Sequence, residues 1–430
     1  MVKTFAISTL GCKVNLYESE AYVEQLISKG YQKVDFKEFA DIYIINTCTV
    51  TNSASSKSRQ RIVQAKSRNE NAFICVVGCY AQISAKLLKE KYDVDLLIGS
   101  SQKHELVKLI EETWGNSVLN LVSDNRDIEF EYLPVQTFSA QKRVFMKIQD
   151  GCNQFCSYCI IPYARGNERS IDLDTAVHQA RSFVSNGHKE IVLSGIHTGR
   201  YLDFKGRNLT DLLRALILID GLERIRISSI EVTEITEELL ELVASSKKIA
   251  NHFHIPLQSG SNTVLKRMNR EYDFTQFHRM IEKIRVKIPE VSITSDVIVG
   301  FPSETDIEHT ETIKSIIECN FTFLHVFPYS MRKGTLAEGM PRQVNSLTKK
   351  SRAEEILKLS NKLKVNFMSR LMGKTLTVLV EKRQDNFLVG HCEEYIEVYF
   401  MGDEEDINQF VELEIVEISN GKCYGNKKKR

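Results

Sequence analysis

The stretch Asp150-Gly151-Cys152-Asn153-Gln154-Phe155-Cys156-Ser157-Tyr158-Cys159 decides the reading of this chain. It comes just after an apolar strand pattern, Val144 to Gln149, so three thiols gather on one loop behind a strand. A second, widely spaced trio precedes it: Cys12, Cys48 and Cys79. Structural zinc takes four protein ligands, whereas a cubane iron–sulfur cluster held by three thiolates leaves one iron with an open coordination position. The three loop thiols can cap three corners of such a cluster. A zinc knuckle is the other reading of the spacing, and no fourth ligand stands nearby to complete it.

Upstream of that loop, residues 1–120 alternate strand and helix patterns. Thr4 to Leu10, Ile42 to Asn46, Phe73 to Val77 and Asp95 to Ile98 read as strands; Asn15 to Lys29, Ser53 to Arg68 and Ile83 to Lys89 read as helices. This predicts a doubly wound α/β domain with a parallel sheet. Each early cysteine stands one or two residues past a strand end, so neighbouring parallel strands would bring all three to one carboxyl edge, where such sheets place ligands. Residues 121–141, polar with one proline, read as a linker.

Downstream, six strand candidates alternate with helices: Val144 to Gln149, Glu190 to Leu193, Arg224 to Ser228, His252 to Pro256, Ser292 to Val299 and Phe323 to Pro328. Six βα units over residues 142–370 predict a partial barrel with its functional groups on the loops after the strands. A basic helix, Ser346 to Leu371, closes this part. Residues 371–430 then change to short alternating segments, Thr375 to Glu381, Glu394 to Phe400 and Val411 to Ile418, which predict a small all-β barrel.

A chain of 430 residues, 42% apolar and 26% charged, fits a soluble globular protein of two or three domains. No stretch approaches the roughly 20 apolar residues of a membrane span, and the N-terminus enters a strand pattern at once, so a cytoplasmic protein without a membrane partner is expected. Ten cysteines in a reducing compartment point to metal or redox chemistry rather than disulfides. Cys75, Cys319, Cys392 and Cys423 read as packing thiols.

The net charge of +1 decides nothing, but its distribution is uneven. Met331 to Lys374 carries eleven Lys or Arg against three acids, and Ser53 to Arg68 carries five basic residues and no acid. Such stripes can follow a phosphate backbone. The expected phosphate contacts are Lys57, Arg59 and Arg61 in the first and Lys349, Lys350 and Arg352 in the second.

The Cys-x3-Cys-x2-Cys loop after a first barrel strand, with Tyr158 before its last cysteine, resembles the radical S-adenosylmethionine superfamily. The resemblance implies a 4Fe-4S cluster on Cys152, Cys156 and Cys159 whose open iron takes S-adenosylmethionine and delivers the electron that cleaves it to a 5′-deoxyadenosyl radical. It also implies cofactor contacts at strand ends: Tyr158, Ser194-Gly195, Ser228, Ser229, Glu231, Gln258 and Gly300. His254, Pro256, Ser259-Gly260, Pro302 and Glu304 stand in similar places; Glu304 departs by one position from the superfamily's usual pattern.

Thr9 to Glu20, Asn46-Thr-Cys-Thr-Val50 and Gly78-Cys-Tyr-Ala-Gln82 resemble the N-terminal domain of the methylthiotransferases. That implies a second, auxiliary 4Fe-4S cluster on Cys12, Cys48 and Cys79, a central radical domain and a C-terminal TRAM barrel. No side chain need act as the catalytic acid or base, because the clusters carry the chemistry. The segments Gly11 to Asn15, Ile148-Gln-Asp-Gly-Cys152, Tyr163-Ala-Arg-Gly166 and Ser194-Gly-Ile-His-Thr-Gly199 are similar to the subgroup acting on N6-threonylcarbamoyladenosine of tRNA. Other members act on isopentenyladenosine or on a ribosomal-protein aspartate. A binding module with structural metal is the contrasting class. Implied partners are tRNA, an electron donor such as flavodoxin or ferredoxin, and a sulfur donor. Against direct RNA binding by the barrel, residues 375–430 hold twelve acids and seven basic residues, with Lys427 to Arg430 the one basic cluster.

Overall fold

Strands Thr4–Thr9, Ile42–Thr47, Phe73–Gly78 and Leu96–Ile98 pair side by side in parallel. Every residue of the second and third is buried, which is why they read as continuous apolar runs rather than alternating ones. Short strands Gln32–Lys33 and Leu119–Asn120, not foreseen, extend the two edges of this six-stranded sheet. The computed structural model describes residues 3–114, 119–138 and 141–428.

The central domain has its six parallel strands at Arg143–Lys147, Glu190–Ser194, Arg224–Ile227, His252–His254, Ser292–Val299 and Phe323–Pro328. They form two three-stranded sheets joined by a parallel bridge between Ser229 and His254, an open partial barrel. Helix Ser346–Ser369 covers the last strand, and the Ser360 hydroxyl accepts the Leu324 amide at 2.8 Å.

The stretch read as a linker is not loose, and here the structure differs from the expectation. Leu133, Val135 and Phe138 are buried in the core shared by the first two domains, and Tyr17 donates its hydroxyl to the Leu133 carbonyl at 2.6 Å. Scattered apolar residues without a regular period gave no sign of this. Residues 139–140 of that stretch lie outside the described residues.

At the C-terminus, strands Thr375–Gln384, Phe387–His391, Glu397–Phe400, Phe410–Ser419 and Lys422–Lys427 close a barrel. The second and fifth escaped the sequence reading because Gly390 and Gly425 interrupt their patterns. A Cβ on Gly390 would lie 2.0 Å from the Leu379 carbonyl oxygen, so only glycine admits the neighbouring strand there. Cys75, Cys319, Cys392 and Cys423 are all fully buried packing residues, as expected.

Arg224 and Arg226 dock this barrel on the central domain. Arg224 donates to the Thr377 carbonyl at 2.7 Å, and Arg226 donates to those of Glu393 at 2.8 Å and Cys392 at 3.1 Å. Part of the barrel's acidity faces the same junction, where Glu381 pairs with Arg143 at 3.0 Å.

Candidate metal centres and active site

The first thiol trio converges because two glycines precede its members. Gly11 and Gly78 adopt φ of +105° and +99°, conformations that admit glycine readily and other residues poorly. A Cβ on Gly11 would stand 2.8 Å from Cys48 Cβ and 3.0 Å from its Sγ, so Cys48 packs directly against the backbone that presents Cys12. Asn15 holds the turn by donating to the carbonyls of Leu10 at 2.7 Å and Thr47 at 3.0 Å. Cys12, Cys48 and Cys79 thus stand together at the carboxyl edge of three adjacent strands.

The second trio sits on the loop after Arg143–Lys147. Gly151, at φ +73°, lets this loop lie against residues 166–167: its Cβ would fall 1.8 Å from the Asn167 carbonyl oxygen, and the Cys152 amide donates to Gly166 at 3.0 Å. The Cys159 amide donates to the Cys156 carbonyl at 2.9 Å, a tight turn that turns both thiols inward.

Cations face the thiols. Arg270 lies 3.2 Å from Cys156 Sγ, and Arg165 Nε lies 3.2 Å from Cys79 Sγ. All ten thiols are free. Two sets of three thiols with guanidinium neighbours fit thiolate-ligated clusters, which carry negative charge. Cys152, Cys156 and Cys159 would hold one 4Fe-4S cluster and Cys12, Cys48 and Cys79 the other.

Arg165 reaches its place from the short helix Ile161–Arg165, begun by Pro162 and ended by Gly166 at φ +77°. It is fully buried and pairs with Asp150 at 2.9 Å and Glu18 at 3.3 Å. Glu18 also meets Lys103 at 2.8 Å and Lys147 at 3.2 Å, so residues of both domains share one internal ionic network. Burial alone would raise the Glu18 carboxyl, yet Lys103, Arg165 and Lys147 outweigh it and hold it down to about 2.

His197 stands beside the second trio, its Nδ1 3.6 Å from both Cys152 Sγ and Glu168 and its Nε2 2.8 Å from Glu234. Burial opposes its charging, but bonds to Cys152, Glu168 and Glu234 prevail and push it up to about 12. The spacing of the cysteines marks neither His197 nor Arg270. Arg165 and His197 fall within segments that carry the family resemblance, without a role attached.

Two cavities that share one wall residue each reach one thiol of a trio. One, of about 530 Å³, is lined by Cys12, Lys13, Ser194, Gly195, Ser228 and Ser229, with Tyr395 reaching in from the C-terminal barrel. The other, of about 230 Å³, is lined by Tyr158, Cys159 and Gln258 together with Val50 and Thr51 of the first domain. Phe327 is common to both walls.

Glu231, an expected cofactor contact, is paired with Arg270. Gly300 lines neither cavity, and Lys349 packs over it, with the lysine Cγ 2.4 Å from where a Cβ would stand.

Residues 4–99 match the uncharacterized protein family UPF0004, and residues 146–316 match the Radical SAM superfamily. The chain is 43% identical over 425 residues to threonylcarbamoyladenosine tRNA methylthiotransferase MtaB of Bacillus subtilis (strain 168), covering 96% of this chain and 94% of that protein. The chain belongs to the radical S-adenosylmethionine methylthiotransferases. Another methylthiotransferase relative, the tRNA-2-methylthio-N(6)-dimethylallyladenosine synthase of Thermoanaerobacter pseudethanolicus (strain ATCC 33223 / 39E), is 34% identical over 96% of this chain and 90% of its own length. The radical S-adenosylmethionine methyltransferase TsrM of Kitasatospora setae, solved with cobalamin and a 4Fe-4S cluster, shares the fold: TM-score 0.55, 14% identity, 76% of this chain and 75% of that one.

The expected phosphate contacts of this methylthiotransferase separate into two groups. Lys57 is exposed on helix Asn52–Arg68, Arg59 donates to the Tyr80 hydroxyl at 2.9 Å, and Arg61 donates to Gln64 at 2.9 Å. Lys350 is exposed. Arg352 is a correction: it is buried and pairs with Glu304 at 2.9 Å and Asp306 at 2.7 Å, leaving no face for a phosphate. Lys349 is half-buried and donates to the Tyr329 carbonyl at 3.0 Å. Arg332, from the same basic stripe, is buried against the first domain and donates to Thr49 at 2.6 Å and Asn52 at 2.7 Å. Lys429 and Arg430 of the basic tail lie outside the described residues.

Proposed function

We infer that this chain is a tRNA methylthiotransferase that converts N6-threonylcarbamoyladenosine next to the anticodon to its 2-methylthio derivative, by activating the C–H bond at adenine C2. The likeness to threonylcarbamoyladenosine tRNA methylthiotransferases over nearly the whole chain carries the substrate reading, and the structure supports the two-cluster part of it: Cys12 of one trio and Cys159 of the other line cavities that share Phe327. When bound, two 4Fe-4S clusters and S-adenosylmethionine supply the one-electron chemistry, the hydrogen-abstracting radical and the methylated sulfur.

The chain's own residues position and enclose. Ser194, Gly195, Ser228 and Ser229 offer small, hydrogen-bonding strand ends on which the cofactor can rest; a Cβ on Gly195 would meet Gln149 at 3.0 Å, so the turn there is tight. Tyr158 and Gln258 line the neighbouring cavity, and Tyr395 closes the larger one from the third domain. Residues of three domains wall the reacting centre.

The tRNA contacts we propose are the exposed cations Lys57, Lys350, Lys333 and Arg342, with Arg59 and Arg61 at their margin. Among the described residues no helix is long and apolar enough to cross a membrane. An enzyme of tRNA belongs in the cytoplasm, where an electron donor such as flavodoxin or ferredoxin and a sulfur donor complete the system. Liquid chromatography with mass detection of tRNA hydrolysates, with and without the gene, tests the reading. The 2-methylthio derivative should vanish without it; loss of the isopentenyl product instead, or of neither, would refute the assignment.

A further inference from the structure

Lys13 follows Cys12 directly and begins helix Lys13–Ser28, with its side chain on the wall of the larger cavity. Among the described residues it has no carboxylate within ion-pair reach and no hydrogen-bond acceptor. Its Nζ lies 5.7 Å from the Phe145 ring centroid, a weak contact for an ammonium. The arginines and His254 around the cavity are committed. Arg226 gives its nitrogens to Glu190 and to the carbonyls of Cys392 and Glu393, Arg143 pairs with Glu381, and His254 pairs with Asp296 at 3.2 Å. His252 shares the Thr294 hydroxyl at 3.0 Å, and His325 lies alongside His254.

An ammonium without a direct partner is unfavourable here on two counts. It sits at the positive end of a helix and near Arg143 and Arg226, with only Glu190 and the Cys12 site as nearby opposing charge. An anion entering the cavity would relieve both. The substrate argued for above brings such an anion, since its threonyl group ends in a carboxylate. That group hangs from N6, and C6 and C2 both flank N1 of adenine, so a base presenting C2 to the thiol trios carries the carboxylate along the same wall.

Resting on that substrate reading, we propose that Lys13 is a specificity-determining residue that pairs with the threonyl carboxylate. A charge-assisted hydrogen bond on the wall of this cavity gives affinity and also disfavours a neutral, apolar N6 substituent, which would leave the ammonium without that partner.

The experiment uses the anaerobic, cluster-loaded enzyme and three synthetic anticodon stem-loops, carrying threonylcarbamoyladenosine, its carboxamide analogue or isopentenyladenosine. Fluorescence anisotropy gives affinities for wild type, Lys13→Gln and Lys13→Arg at one salt concentration, and mass detection follows the product. Wild type should prefer the carboxylate over the carboxamide by about tenfold or more. Lys13→Gln should lose that preference, and Lys13→Arg, which keeps the charge and guards against misfolding, should retain much of it. An unchanged preference in Lys13→Gln overturns the proposal. So does a wild type that methylthiolates the threonylcarbamoyl loop yet binds the carboxamide equally well. A wild type that leaves that loop unmodified and accepts an isopentenyl one instead overturns the substrate reading itself, and the role of Lys13 with it.

Discussion

Arg165 Nε lies 3.2 Å from Cys79 Sγ, so one guanidinium from the barrel domain touches a thiol of the other domain's trio. Its remaining nitrogens serve Asp150, Glu18 and Asn15. Lysine carries the charge but not the planar fork that meets several partners at once. Arg165→Lys should therefore lower the iron bound at the first trio. Arg165→Ala should cost roughly 3–5 kcal/mol, because it leaves Glu18 and Asp150 short of a buried partner. Thermal unfolding and iron analysis of the anaerobic protein measure both; unchanged values would show that the network is incidental.

Gly11→Ala places a methyl group where Cys48 already stands and asks alanine to adopt φ +105°. The first trio should fail to converge while the second is untouched. About half the iron should be lost, and reductive cleavage of S-adenosylmethionine should persist without sulfur insertion. If Gly11→Ala retains full iron, the close approach is not required.

Lys57→Glu and Lys350→Glu should each weaken tRNA binding and reduce its salt dependence, by about 0.7 to 0.9 in the logarithmic slope for each phosphate that is no longer neutralised. Arg352→Glu should act differently, because its guanidinium is buried between Glu304 and Asp306: stability should fall first. Titration of labelled tRNA at several salt concentrations, beside melting curves, separates the two behaviours. A reduced slope from Arg352→Glu in a fully folded protein would contradict the burial argument.

Glu190 is fully buried between Arg224 and Arg226, the arginines that hold the C-terminal barrel. Burial would raise its carboxyl, but Arg226, Arg224 and Arg143 prevail and hold it below the ordinary range. A carboxyl lower in the folded state stabilises fully above its unfolded value, about 4.3, and loses that contribution as the pH falls toward the folded one. Melting temperatures of wild type and Glu190→Gln should differ most near neutrality and converge in acid below about pH 4. A difference that is constant with pH would show that the carboxylate charge is not what holds the junction.

The parallel strands and the six thiols were legible in the sequence because apolar runs and cysteine positions are properties of single segments. Cys12, Cys48 and Cys79 fall in equivalent places after their strands, so strand pairing alone predicts that they meet. What stayed hidden depends on contacts between distant segments. Arg165 is 86 residues from Cys79, and Arg270 is 114 from Cys156. The burial of Arg352 follows from the loop at Glu304 folding over it; along the sequence it looks like any other cation of a basic stripe. Leu133, Val135 and Phe138 lack a periodic pattern, so the packed crossing they make read as a linker.

The count of iron and inorganic sulfide in the anaerobically prepared protein tests the central claim most directly, compared between wild type and the variant with Cys152, Cys156 and Cys159 all changed to Ala. Wild type should hold about eight of each and the variant about four, with the cluster on Cys12, Cys48 and Cys79 still visible by electron paramagnetic resonance after reduction. About four in wild type, or none in the variant, would contradict two separately ligated clusters.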